Sequence, residues 1–224
     1  MTSTKPFGSL ATADIFVIGH DPRLQSSEAE ADVVFFLDYL QKYAVAPGSG
    51  PEKSKYGLAR GLVGYVGELA GCAVGPERLY VTNLCNEFLP GTNGKGTVLI
   101  PQEKAERGYR EICQASDAGH FKVILPTSCQ VFYHLAKLGF LDEKDERVAL
   151  FLEQAAPRKS KQDQGVYITT GTAPFLAVCG ERFHHKGIPV VPVVHVKLWP
   201  LKVGHIRYTE PMEKAKQAIR EMLR

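Results

Sequence analysis

The sequence predicts an α/β fold in three layers (α/β/α), with a mostly parallel central sheet covered by helices on both faces. Three observations predict it. Short apolar runs rich in β-branched residues recur along the 224 residues. Segments with apolar residues at helical spacing separate them. Several runs stop at a glycine or a polar side chain, at the point where a strand of a parallel sheet reaches its carboxyl edge.

Asp14 to Ile18 (DIFVI) is the first apolar run, ended by Gly19, and reads as a buried strand. Glu28 to Tyr43 has helical spacing, with Ser26 or Ser27 as its cap. The Pro, Gly and Ser of APGSGPEKSK mark a loop. Gly57 to Gly71 reads as a helix despite its glycines, and Leu79 to Asn83 (LYVTN) as the second strand. After a Gly-rich loop, a helix runs from about Pro101 to Asp117, with proline in its first turn. Phe121 to Leu125 is the third strand and Cys129 to Leu138 the next helix. Asp142 to Gln164 holds one helix and then a basic loop, PRKSKQ. Val166 to Thr170 is expected as a fourth strand, Pro174 to His184 as a helix, Ile188 to Val196 as a fifth strand and Pro211 to Leu223 as a closing amphipathic helix.

The bulk numbers suit a single domain spanning residues 1–224. Hydrophobic residues make up 44% and charged residues 23%, enough for one core and too ordered a composition for wholesale disorder. A net charge of +3 is compatible with a polyanionic partner without requiring one. The five cysteines form no CxxC pair and are odd in number, so reduced thiols and a cytoplasmic location are expected. The first residues, MTSTKPFGSLATAD, lack the apolar stretch of a secretory signal, and no apolar run is long enough to span a bilayer. A monomer without membrane contact is the expectation.

Polar groups gather at the strand ends. His20 and Asp21 follow the first strand, Asn83 ends the second and His195 ends the last. On parallel strands these groups converge on one rim, where ligands of such sheets bind. An aspartate, an asparagine and a histidine there can position a water, read a flat polar ligand and stabilise developing negative charge. Each alone also has a local reading: Asn83 as a turn residue, Asp21 before Pro22 as a helix-entry turn, His195 as a histidine bonded to backbone.

DIFVIGHDPR resembles the first motif of the uracil-DNA glycosylase superfamily, in which a strand runs into Gly-Gln-Asp-Pro-Tyr or a related turn. GPERLYVTNLCNEFLPG resembles the middle motif, a strand ending in Thr-Asn or Leu-Asn before a Pro-rich loop. PQEKAERGYREICQASDAGHFKVILPTS resembles the helix and strand that follow, and GIPVVPVVHVKLW the last motif, a strand ending in His-Pro-Ser. The segments occur in the family's order and span most of the chain, leaving Asp142 to Thr170 unmatched.

The resemblance implies a DNA-repair enzyme that hydrolyses the N-glycosidic bond of uracil, or of a related deaminated base, flipped out of DNA. Asp21 would orient the attacking water and His195 would bond the base carbonyl as negative charge builds. Asn83 would read the base edge and select uracil over cytosine, with His20 beside it, and Tyr56 would stack on the base. No cofactor or metal is implied. Some relatives hold an iron–sulfur cluster on four cysteines, but the spacing here does not match. DNA, single- or double-stranded, is the implied partner.

Two positions depart from the family pattern. Arg23 stands where many relatives place a tyrosine that excludes the thymine methyl group, and it can instead reach a phosphate. His195-Val196-Lys197 replaces His-Pro-Ser, and Lys197 and Lys202 become candidate phosphate contacts. Trp199 reads as a stacking group or as a core anchor. GTNGKGT (Gly91 to Thr97) resembles the phosphate loop of Mur ligases and folylpolyglutamate synthetases, with Lys95 as its lysine, but EFLP separates it from the preceding strand. ATP binding there is the lesser alternative. The other is a glycosylase-fold protein that binds nucleic acid without cleaving it.

Overall fold

The computed structural model describes residues 3–20, 33–43, 46–87, 100–142, 144–155, 172–201 and 203–224. Ile15–Gly19 form β1, and all five residues are buried. A strand without an exposed face belongs inside a covered parallel sheet, and β1 lies between two parallel neighbours. On one side is β2 (Leu79–Asn83), in a register that pairs Ile15 with Leu79 and Gly19 with Asn83. On the other is β3 (Val123–Pro126), pairing Ile15 with Val123 and Ile18 with Pro126. β4 (Phe183–His185) and β5 (Ile188–Val190) complete the sheet in the order β2-β1-β3-β5-β4, with β5 parallel to β3 and β4 antiparallel to β5.

The helices carry clear end signals. α1 is short (Asp38–Lys42). α2 (Pro51–Ala70) starts with proline in its first turn and stops at Gly71, which takes the left-handed conformation at φ 70°. α3 (Gln102–Ala118) follows Pro101. α4 (Cys129–Lys137) is capped by Ser128, whose side chain accepts the Val131 N–H at 3.2 Å. α5 (Glu146–Gln154) is capped by Asp145, which accepts the Arg147 N–H at 3.0 Å. α6 spans Thr172–Val178 and α7 spans Thr209–Leu223. α2 packs on α1 and α7, while α5 packs on α4 and α6. Two separate helix groups on a mostly parallel sheet are compatible with three layers. The buried apolar side chains form one cluster running through both groups.

Several elements differ from the sequence reading. α2 begins at Pro51, six residues before the expected Gly57. Gly50, at φ 85°, makes the break, and the Pro, Glu, Lys and Ser after it are tolerated in a first helical turn. The expected helix Glu28 to Tyr43 lies partly outside the described residues. Within them, Val34–Phe36 make a 3-10 turn in which Phe35 and Phe36 have φ 53° and 55°.

The expected helix Pro174 to His184 ends at Val178, where Gly180 turns at φ 80°. His184 and His185 therefore lie on β4 and not on a helix. His185 is buried, stacks on Phe140 at 3.7 Å between centroids and has Nδ1 2.6 Å from Phe140 O, whereas only His184 is a surface residue. Lys186 and Gly187, at φ 49° and 86°, close the two-residue hairpin between β4 and β5. β5 is shorter than Ile188 to Val196 because Pro189 and Pro192 remove ladder donors. Val191 and Val193 still donate to Ile124 O and Pro126 O at 2.9 Å each, so the chain continues beside β3 towards His195. The expected strand Val166 to Thr170 and the PRKSKQ loop lie outside the described residues.

Candidate functional site at the carboxyl edge of the sheet

The chain leaves β1 for β2 on one side and later adds β3 on the other. In such sheets ligands bind at the carboxyl end of the strands where this reversal falls, here the end of β1. Gly19 and Asn83 are paired neighbours at that end. Beyond them the two exits stay together, with Leu84 N donating to Gly19 O at 2.9 Å and Cys85 N to His20 O at 3.1 Å. His20 is 7% exposed.

Asn86 fixes the turn after β2. Its Oδ1 accepts the Asn83 N–H at 3.2 Å, its Nδ2 donates to Thr82 Oγ1 at 3.1 Å, and its backbone carbonyl accepts from Thr4 N at 2.8 Å. The side chain of Asn83 is treated differently. The residue is 3% exposed, and its Oδ1 is buried with no hydrogen-bond partner among the described residues. An unpaired buried acceptor costs about 1–3 kcal/mol, so its persistence points to a role outside stability.

Phe35 closes on the same point. A Cβ added at Gly19 would lie 2.2 Å from Asn83 Oδ1 and 2.7 Å from Phe35 Cε2. Glycine is required there because a side chain would fill the space between the amide and the ring. Phe35 is half-buried and holds a left-handed backbone, a conformation that costs a non-glycine residue about 1–3 kcal/mol and clusters at functional sites. Its ring centroid lies 6.2 Å from that of His195.

His195 is half-buried and caps the 3-10 turn Val196–Leu198, its Nδ1 accepting the Lys197 N–H at 3.1 Å. A neutral imidazole that accepts at Nδ1 carries its proton on Nε2, so Nε2 is the donor nitrogen. Lys197 is exposed immediately beyond. Next to it lies a groove of about 300 Å³ between Gly57, Gly61 and Gly64 of α2 and Val196, Trp199 and Pro200 of the turn. Cβ atoms at those three glycines would meet nothing within 4 Å, so internal packing does not demand them.

The structure thus brings Gly19, Phe35, Asn83 and His195 to one rim, with His20 at its back. Tyr56 lies in the buried stripe of α2 and makes no ring contact or hydrogen bond with other described residues. Among the described residues, Phe35 brings an aromatic ring to the rim. In the sequence Phe35 sits in the run VVFFLDYL and looks like one face of a helix, so no local signal separates it from a core residue. Asp21, Arg23, Lys202 and the Gly91 to Thr97 loop lie outside the described residues. No group of three or more His, Cys, Asp or Glu side chains gathers into a metal-binding cluster among the described residues, and no helix there is long and apolar enough to cross a membrane.

No protein-family model matches the chain, and no curated protein matches it at a significant level.

Proposed function

We propose that the protein is a DNA glycosylase of the uracil-DNA glycosylase type, hydrolysing the N-glycosidic bond of uracil or a related deaminated base flipped out of DNA. The observation that carries the reading is the buried Oδ1 of Asn83, without a hydrogen-bond partner among the described residues and beside the Phe35 ring, which lies 6.2 Å from the His195 ring. A planar base with an N–H beside a carbonyl complements a carboxamide, which offers an acceptor and a donor in one plane. Cytosine presents no N–H at the ring nitrogen between its carbonyl and amino carbons, and does not match the amide held in the orientation that pairs with uracil.

In the reaction the C1′–N bond breaks and its electron pair leaves with the base. Water adds to the cationic sugar carbon and releases a proton, giving an abasic sugar and the free base. Neutral His195, donating from Nε2, stabilises charge building on the base carbonyl without needing to be protonated itself. Phe35 supplies a stacking face for the extruded base, which must recover the few kcal/mol lost on leaving the duplex. Asp21, two residues beyond Gly19, takes the role of orienting the water and stabilising the sugar cation. The groove beside Lys197 suits the adjoining sugar–phosphate, with the cation as a phosphate contact.

The test is a strand-cleavage panel. Single- and double-stranded oligonucleotides carrying uracil, hypoxanthine or xanthine are incubated with the protein and treated with alkali. Cleavage at the modified base, abolished in Asp21→Asn, supports the reading. Tight binding with no abasic product from any substrate would instead make the chain a nucleic-acid-binding protein that does not cleave.

A further inference from the structure

One helix holds both ends of the turn that carries His195. Before the turn, the Tyr65 hydroxyl donates to Val194 O at 2.6 Å in a fully buried bond. Burial, with smaller contributions from Cys179 and Glu68, pushes the Tyr65 phenol well above its ordinary range, so it stays a donor. After the turn, Trp199 Nε1 donates to Glu68 Oε2. Tyr65 and Glu68 are three residues apart on α2 and share a face. α7 backs the second contact. Lys216, 9% exposed, lies 3.0 Å from Glu68 Oε1 and 2.7 Å from Glu213 Oε1, with its ammonium 4.8 Å from the Trp199 ring centroid. Between the two anchors the backbone closes on itself, Leu198 N donating to His195 O at 2.8 Å and Trp199 N to Val196 O at 3.0 Å. The bond from Lys197 N to His195 Nδ1 depends on that closure.

We propose that Tyr65 and Glu68 are positioning residues for His195, forming a two-point clamp that fixes its turn and keeps its proton on Nε2, with Lys216 holding Glu68 in place. The catalytic part of this inference rests on the glycosylase reading, whereas the tautomer part does not. Both residues also line the groove beside Lys197, but neither is among the rim residues; Tyr65 acts on His195 through the Val194 carbonyl and Glu68 through the Trp199 indole. Loosening either end frees Lys197 N from Nδ1, and the ring then samples the tautomer whose donor is Nδ1.

Tyr65→Phe, Glu68→Ala and Glu68→Gln test the clamp in the full chain. Glutamine keeps an acceptor for the indole, and position 68 lies at the surface, so the Glu68 variants separate loosening from misfolding. Two quantities are read: the His195 ring nitrogen shifts of the free protein at a pH where the ring is neutral, and the steady-state release of base from uracil-DNA. Tyr65→Phe and Glu68→Ala should mix the tautomers and lower kcat roughly tenfold to a hundredfold with KM within about twofold, while Glu68→Gln restores most of both. An unchanged, single Nε2–H tautomer in Tyr65→Phe and Glu68→Ala would overturn the clamp. Wild-type protein that releases no base would overturn the glycosylase reading, while the nitrogen shifts would still decide the clamp.

Discussion

The Asn83 side-chain oxygen lies at the end of β2 with no hydrogen bond among the described residues, and its residue is 3% exposed. Removing an orphaned acceptor relieves its desolvation cost, so Asn83→Leu, which keeps the branched outline of the side chain, should raise the unfolding free energy by roughly 1 kcal/mol in urea titration and abolish base release. A destabilised Asn83→Leu would mean the amide is a structural partner after all. Gly19→Ala acts from the opposite side. Its Cβ would displace both Asn83 Oδ1 and the Phe35 ring, and the backbone of β1 cannot retreat between two paired strands. Activity should fall at least about tenfold, with stability lowered by about 1–3 kcal/mol. Asn83 and His195 were legible in the sequence because each ends an apolar run. Phe35 was not, because its left-handed backbone depends on tertiary packing and leaves no mark on VVFFLDYL.

His134 gives the pH dependence at the same scale. It is 4% exposed, and both ring nitrogens are buried without hydrogen-bond partners among the described residues. Burial, with smaller effects of Lys137 and His20, lowers its pKa to about 4. The unfolded chain takes up this proton near the ordinary histidine value of about 6.5, whereas the fold refuses it until about pH 4. The neutral ring's advantage is therefore complete above about pH 6.5 and is lost as pH falls towards 4, amounting to about 3 kcal/mol. His134→Phe should flatten the stability profile across that window in chemical denaturation at a series of pH values. A profile as steep as wild type would place the proton uptake elsewhere.

At the scale of elements, two helices use glycine for different reasons. In α2 a Cβ at Gly61 meets open space, so Gly61→Ala should gain about 0.5–1 kcal/mol from helix propensity alone. In α3 a Cβ at Gly108 would come within 1.7 Å of Leu84 O, in the turn directly after Asn83. Gly108→Ala must push α3 away from that turn and should lower the melting temperature by several degrees. Melting curves that move the same way for both variants would contradict this division. The sequence marked α3, α4, α7, β1 and β2 closely, since their apolar spacing and end signals agree. It misplaced the start of α2, because Pro-Glu-Lys-Ser-Lys reads as a loop by composition and as a first turn by position. It also ran a helix through Phe183 and His184, where the Lys186-Gly187 turn and the pairing with β5 impose a strand.

At the scale of the whole molecule, the rim exists only because the sheet is ordered β2-β1-β3-β5-β4. Asn83 and His195 are far apart in sequence and come from two different crossovers, and β1 lies between the halves of the chain that supply them. The α/β class was readable from alternating runs. The meeting of Phe35 with Asn83 and His195 was not, since register and crossover order are tertiary facts. α2 links the halves again, packing on α7 while holding both ends of the His195 turn. The core and the rim are therefore one mechanical unit.

We propose that this rim recognises and releases a flipped base. The most direct measurement is free uracil liberated from a uracil-containing oligonucleotide, quantified for wild-type protein, Asn83→Leu and His195→Ala at matched folded concentration. Wild type should release uracil, and each variant should lose at least about a hundredfold while still folded. No free base from folded wild-type protein, or undiminished release by Asn83→Leu, would contradict it.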